Sequence, residues 1–153
     1  MTIPDVSLSA VPPAQDAGPP MAPFASLGRT VLLVDDADAT LAFYREVLGF
    51  AVLHDQETDG FRYLHIGLPG QQPAGLWLMP ATTEHDRRMV GRQSGDQPLL
   101  VLYTDHFDHA RERLLAHGCP VWDERDDPGS RSLHFRDPLG NVIVAVQLKG
   151  AGR

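Results

Sequence analysis

Two histidines, His65 and His134, stand at matching points of two similar stretches, and the chain's most chemically useful side chains gather around them. In Phe61–Leu68 the apolar Leu64, Ile66 and Leu68 alternate with Phe61, Tyr63, His65 and Gly67. Alternation of this kind puts the two sets on opposite faces of a strand. In Ser132–Arg136 the same logic places Leu133 and Phe135 on one face and Ser132, His134 and Arg136 on the other. Three chemistries are open to such a pair. Each histidine can be a hydrogen-bonded structural group. Each can contact a ligand or move protons, since an imidazole titrates near ~6.5. Together they can form part of a displaced metal site, although two histidines without a nearby carboxylate make a thin one.

Other reactive side chains read more plainly. His106 and His109, three apart, fit the solvated first turns of a helix. Cys119 is the single cysteine, so it has no internal disulfide partner; after Gly118 it reads as a small buried residue. Glu124–Asp127 is a charge run before Pro128–Gly129 and reads as an exposed loop.

The elements that must position these groups come in a repeated order. Thr30–Val34 is a short apolar strand. Asp35–Asp36 can cap a helix whose Ala37, Leu41, Tyr44 and Leu48 share a face, and Gly49 ends it. Strands follow at Ala51–His54, Phe61–Leu68 and Gly75–Met79, with a turn at Glu57–Gly60. Residues 81–96 are polar and read as a linker with a short helix around Glu84–Val90. The order then recurs: a strand at Pro98–Tyr103, a helix carrying Phe107, Ala110 and Leu114, and strands at Pro120–Asp123, Ser132–Arg136 and Asn141–Leu148. Each half is a βαβββ unit that cannot cover both faces of its sheet alone. The expected fold is therefore α+β: two tandem βαβββ modules forming a curved-sheet cup with helices outside. Residues 1–27, with six prolines, form a disordered tail in this reading. Residues 28–149 form one domain, with module one at 28–80, the linker at 81–96 and module two at 97–149.

Composition narrows the partners. With 20 acidic and 13 basic residues the formal net charge is −7, which repels nucleic acid and anionic lipid. No apolar run approaches the ~20 residues that span a bilayer. The lone cysteine and the absence of an apolar leader run fit a cytoplasmic protein.

Two motifs then become recognisable. Val34-Asp35-Asp36 leading to Phe43-Tyr44-Arg45-Glu46-Val47-Leu48-Gly49-Phe50 resembles the first-module signature of the vicinal-oxygen-chelate superfamily. Phe135-Arg136-Asp137-Pro138-Leu139-Gly140-Asn141-Val142-Ile143 resembles its closing signature. The resemblance spans residues 29–149 and points to the broad group of glyoxalase, bleomycin-resistance and dioxygenase proteins. Its members share a fold more than a reaction. It implies a homodimer. In many members it also implies four side chains from the first and last strands of each module that hold a divalent metal.

Mapped onto this chain, those four places are Arg29, Trp77, Leu99 and Val144, none of which ligates such an ion. The expectation is a cup without the usual metal site and with no cofactor. Parity from the same places turns Arg29, Val31, Leu33, Trp77, Met79, Leu99, Val101, Tyr103, Val142, Val144 and Val146 inward. The lining is then apolar and aromatic, with Arg29, Tyr63, His65, Tyr103 and His134 as its polar members, which is the make-up of a small-molecule pocket. Arg29, Tyr63, Trp77, Met79, Tyr103 and Val144 are the expected ligand contacts, and His65 and His134 the candidate acid–base groups. Loop 124–127 and Arg131 are expected at the rim. Whether the chain is an enzyme stays open. Sequestration of a small aromatic or amphipathic molecule, or simple acid–base chemistry, is one reading. A metal-dependent lyase or oxygenase with displaced ligands is the alternative. A third is an interaction module that has lost the cup.

Overall fold

A computed structural model describes residues 21–150. The first twenty residues of the Pro-rich segment lie outside the described residues; residues 21–28 are exposed and belong to no helix or strand. The elements are β1 (Arg29–Val34), α1 (Ala37–Glu46), β2 (Ala51–Thr58), β3 (Phe61–Gly67), β4 (Gly75–Pro80), α2 (Glu84–Met89), β5 (Leu100–Tyr103), α3 (Phe107–Ala116), β6 (Trp122–Asp126), β7 (Ser130–Arg136) and β8 (Val142–Leu148). The βαβββ order occurs twice, as the repeat requires.

Local chemistry sets the helix ends. Asp36 caps α1, its carboxylate accepting from the Ala39 N–H at 3.0 Å. The second module starts its helix differently. His106, at the N-cap of α3, makes no side-chain cap, and the Phe107 N–H instead donates to Gln147 Oε1 at 2.9 Å. Two strands run longer than their sequence signals. β2 continues to Thr58, and the turn contracts to Asp59–Gly60, both with positive φ, as a tight hairpin demands. The acidic run Glu124–Asp126, expected in a loop, belongs to β6. As an outer strand exposed along its length, β6 tolerates charge there.

The strands form two four-stranded sheets of matching order, β1-β4-β3-β2 and β5-β8-β7-β6. Within each, the module's first and last strands run parallel and the other pairs antiparallel. Gln93, in the linker, covers β1: its Oε1 accepts from Leu33 N–H at 2.7 Å and its Nε2 donates to Val31 C=O at 3.0 Å. One side chain thus meets one N–H and one C=O that a neighbouring strand would have met.

One face of each sheet is buried. Leu32, Val34, Leu64, Ile66, Leu76 and Leu78 from the first sheet join Leu133, Phe135, Ile143 and Ala145 from the second, with Leu41, Tyr44, Phe107 and Leu114 from the helices. This single core spans both modules. A buried polar group stitches them together. The Asp137 carboxylate accepts from Tyr44 Oη at 2.8 Å, from the backbone N–H groups of Leu139 and Asn141, and from the Asn141 amide. Burial first, and the Asp137 charge second, push the Tyr44 hydroxyl well above its usual pKa, so it stays a donor. Arg113 of α3 adds bonds to the carbonyls of Val47, at 3.0 Å, and Glu46 at the end of α1.

Candidate functional site

With one face of each sheet committed to the core, the opposite face is left for function. Register aligns a row across the first sheet. Val31 pairs with Trp77, Trp77 with His65, and His65 with His54. The second sheet carries the equivalent row: Val101 pairs with Val144, Val144 with His134, and His134 with Trp122. His65 and His134 therefore occupy the same point of the repeat. So do Trp77 and Val144, which stand where two of the mapped ligand positions fall.

The first row is built as a connected group. Arg29 Nε donates to His65 Nδ1 at 3.1 Å, and Arg29 Nη1 reaches the carbonyls of Gly28, at 2.9 Å, and Pro73. The His65 ring lies 5.2 Å from the Trp77 ring and 5.4 Å from the His54 ring. Tyr63 lies 5.6 Å from Trp77, tilted at 31°, and Phe61 packs edge-on against Tyr63 at 5.0 Å. Met79 follows Trp77 on the same face of β4, beside Leu33. Apart from the exposed His54, these side chains are half-buried, unlike Leu64, Leu76 and Leu78 beneath them.

The hydrogen bond to Arg29 fixes the state of His65. A guanidinium only donates, so Nδ1 must offer its lone pair and the neutral ring carries its proton on Nε2. Partial burial, then the Arg29 charge, then His54 hold the imidazole pKa below its usual value, which keeps the ring neutral. His65 Nε2 and Trp77 Nε1 are both shielded from water and have no protein partner among the described residues.

The second row is more open. Trp122 is 38% exposed, its ring 5.7 Å from His134, with the Arg136 guanidinium 5.1 Å from the centre of its ring. His134 Nδ1 lies 3.7 Å from Asp123 Oδ2, an ion pair only when the ring is protonated. Tyr103 and Val101, at 61% and 55% exposure, stand beyond Val144 on β5. The structure thus groups Arg29, Tyr63, His65, Trp77 and Met79 on one sheet, and places His134, Val144 and Tyr103 on the other.

Three expectations need correction. Arg131 does not stand at a rim. Because β7 begins at Ser130, Arg131 shares the parity of Leu133 and Phe135. It points to the helix side, over the Phe107 ring at 4.3 Å and bonded to Asp108 at 3.0 Å. Leu99 precedes β5 and packs against the core. The acidic run of β6 lies in a strand whose Glu124 is held by Arg111 at 2.6 Å. Two contributors were not read from the sequence. His54 and Trp122 both sit at irregular points where register shifts break the simple alternation of β2 and β6.

A small apolar cavity at the module junction is lined by residues including Val47, Leu68, Leu102, Tyr103, Leu114 and Phe135. No charged side chain lines it, and it contains none of the first-row group. Burial raises the Cys119 thiol pKa, which makes it a poor nucleophile. Among the described residues no three or more His, Cys, Asp or Glu side chains gather as metal ligands.

Residues 26–145 match the model of the Glyoxalase/Bleomycin resistance protein/Dioxygenase superfamily. An uncharacterised protein of Pseudomonas aeruginosa is 28% identical over 121 residues, covering 77% of this chain and 85% of its own. Among solved structures, TnmS3, an antibiotic-binding protein from Streptomyces sp. CB03234, matches with a TM-score of 0.68 and 27% identity, over 84% of this chain and all of that one. A glyoxalase/bleomycin resistance protein from the same Streptomyces matches with a TM-score of 0.58 and 29% identity, over 78% and 98%.

Proposed function

The chain belongs to the Glyoxalase/Bleomycin resistance protein/Dioxygenase superfamily, and from that premise we propose that it binds a small aromatic or amphipathic organic molecule on the open face of its first sheet, without a metal. The observation that carries this reading is the Arg29–His65–Trp77–Tyr63 group. It combines flat aromatic surface, a fixed cation and two N–H donors that no protein group satisfies among the described residues. The similarity to an antibiotic-binding protein supports a binding role. Proton transfer by His65 requires the ring to exchange its Nε2 proton with the ligand, which the same geometry allows.

The donor set does not fit a divalent ion. Arg29, Trp77, Leu99 and Val144 occupy the mapped ligand positions. His65 holds its only free nitrogen as N–H, because Nδ1 is engaged by Arg29.

We also infer that two copies pair. Val101, Tyr103, Trp122 and Leu148 leave apolar surface exposed in the single chain. No helix among the described residues is long and apolar enough to cross a membrane.

Fluorescence titration of the Trp122→Phe variant, which keeps Trp77 as reporter, tests the binding role. Flat aromatic compounds should change Trp77 emission saturably after exhaustive treatment with a chelator. If none of a broad panel does so, or if the response appears only on adding a divalent metal, the reading is wrong.

A further inference from the structure

The first-row group has a one-sided hydrogen-bonding character. Arg29 is always protonated and only donates. His65, with Nδ1 occupied, has only its Nε2–H left to give. Trp77 Nε1–H can only donate. Neither N–H has a partner among the described residues. Unmet donors of this kind are uncommon, and two of them on rings 5.2 Å apart need an explanation. Arg29 forms no carboxylate ion pair among the described residues. Asp38 and Asp55 are both taken by Arg62.

Amphoteric groups border the site without changing its balance. Tyr63 offers a hydroxyl that can give or accept, and His54 an imidazole of either tautomer. His65 and Trp77 are half-buried residues whose two N–H groups are themselves shielded from solvent, so an incoming oxygen must displace part of their cover to reach them. The aromatic bodies of Tyr63 and Trp77, 5.6 Å apart and tilted at 31°, offer adjoining aromatic surface beside these donors.

Resting on the binding role given above, we infer that the Arg29–His65–Trp77 group selects a flat aromatic ligand carrying an anionic or carbonyl oxygen, and rejects cationic ones. The oxygen sits against Arg29, His65 Nε2–H and Trp77 Nε1–H while the ring system lies on Tyr63 and Trp77. No bond to the ligand is made or broken.

Four probes sharing one ring system separate the possibilities on the full chain by isothermal titration calorimetry. They are 2-naphthoate, 2-naphthamide, naphthalene and 2-naphthylmethylammonium. The expected order is naphthoate, then naphthamide, then naphthalene, with the ammonium weakest. A charge-assisted pair should make naphthoate about tenfold or more tighter than naphthalene. The Arg29→Gln variant should lose that tenfold advantage while still binding naphthalene, and ¹⁵N spectra should show the Trp77 indole N–H shifting with naphthoate. Equal affinities across the series, or a preference for the ammonium, overturn the oxygen selectivity and leave the binding role standing. Silence from all four overturns both. The series on the unmodified chain decides between these outcomes even if Arg29→Gln does not fold.

Discussion

His65 is the residue on which sequence and structure agree most usefully. Its alternation with Leu64 and Ile66 placed it on the open face, and the backbone does so. What alternation cannot show is its partner. Arg29 is 36 residues away in sequence, and only the β1–β4–β3 pairing brings the two within hydrogen-bond reach. Partial burial first, and the Arg29 charge second, have a consequence for stability. The folded chain holds the His65 pKa below its unfolded value near ~6.5. In the unfolded chain the ring takes up its proton more readily, so stability is fully present above that unfolded value and is lost as pH falls through the folded one. Thermal melts at pH 7.5 and 5.5 should therefore show a smaller acid-induced drop for His65→Phe than for the parent chain. The same drop in both would show that His65 is not differentially titrated. Arg131 illustrates the opposite case. Its position at the end of a polar run read as a rim, but two extra residues of β7 set its parity and turned it toward Asp108.

At the scale of elements, the repeat was legible because each βαβββ unit has strong punctuation: Asp36 before α1, Gly49 after it, Gly118 after α3. Strands with simple alternation, β3, β4 and β8, gave their facing correctly. β2 and β6 did not, because a register shift in each lets His54 and Trp122 join the open rows out of phase. The linker was harder still, since its role depends on two residues. Gln93 bonds the outer edge of β1 at Leu33 N–H and Val31 C=O. Gly91 packs its backbone so closely on Leu139 that a Cβ would collide with the Leu139 carbonyl, at a φ of +75° that L-residues avoid. Gly91→Ala should cost at least about 1–2 kcal/mol from the left-handed conformation alone, measured by denaturant unfolding. A neutral result would mean the linker does not dock on the closing turn. Tyr44→Phe probes the other inter-module contact. Removing the hydroxyl leaves the buried Asp137 carboxylate short of one donor and should cost about 1–3 kcal/mol, read in the same assay.

For the whole molecule, buried residues of both sheets and of the helices join one core, and each sheet keeps an open face with its own row of side chains. Periodicity fixes which face of a strand is apolar, but not which sheets lie against each other. Both rows hold a histidine beside an aromatic ring and an arginine without a carboxylate partner among the described residues, but the Arg29 guanidinium bonds its histidine beside two unpartnered N–H groups, whereas Arg136 lies over the Trp122 ring and the second row's one unpartnered ring nitrogen is His134 Nδ1. The exposed Val101, Tyr103 and Trp122 beside the second row lead us to expect a dimer. Sedimentation velocity at micromolar concentration should show it, and Tyr103→Glu should shift the chain toward monomer. A parent chain that sediments as a monomer throughout would rule the pairing out.

Two places compete for the organic ligand: the open face of the first sheet, proposed above, and the apolar cavity at the module junction. Backbone and indole ¹⁵N shifts, followed while chelator-treated protein is titrated with 2-naphthoate, discriminate between them. Binding on the open face should give saturable shifts at Trp77 Nε1 and along Arg29–Leu33 and Tyr63–Ile66, with Leu102, Leu114 and Phe135 unmoved. Shifts confined to Leu102, Leu114 and Phe135, with Trp77 silent, would put the ligand in the cavity and refute the open-face site.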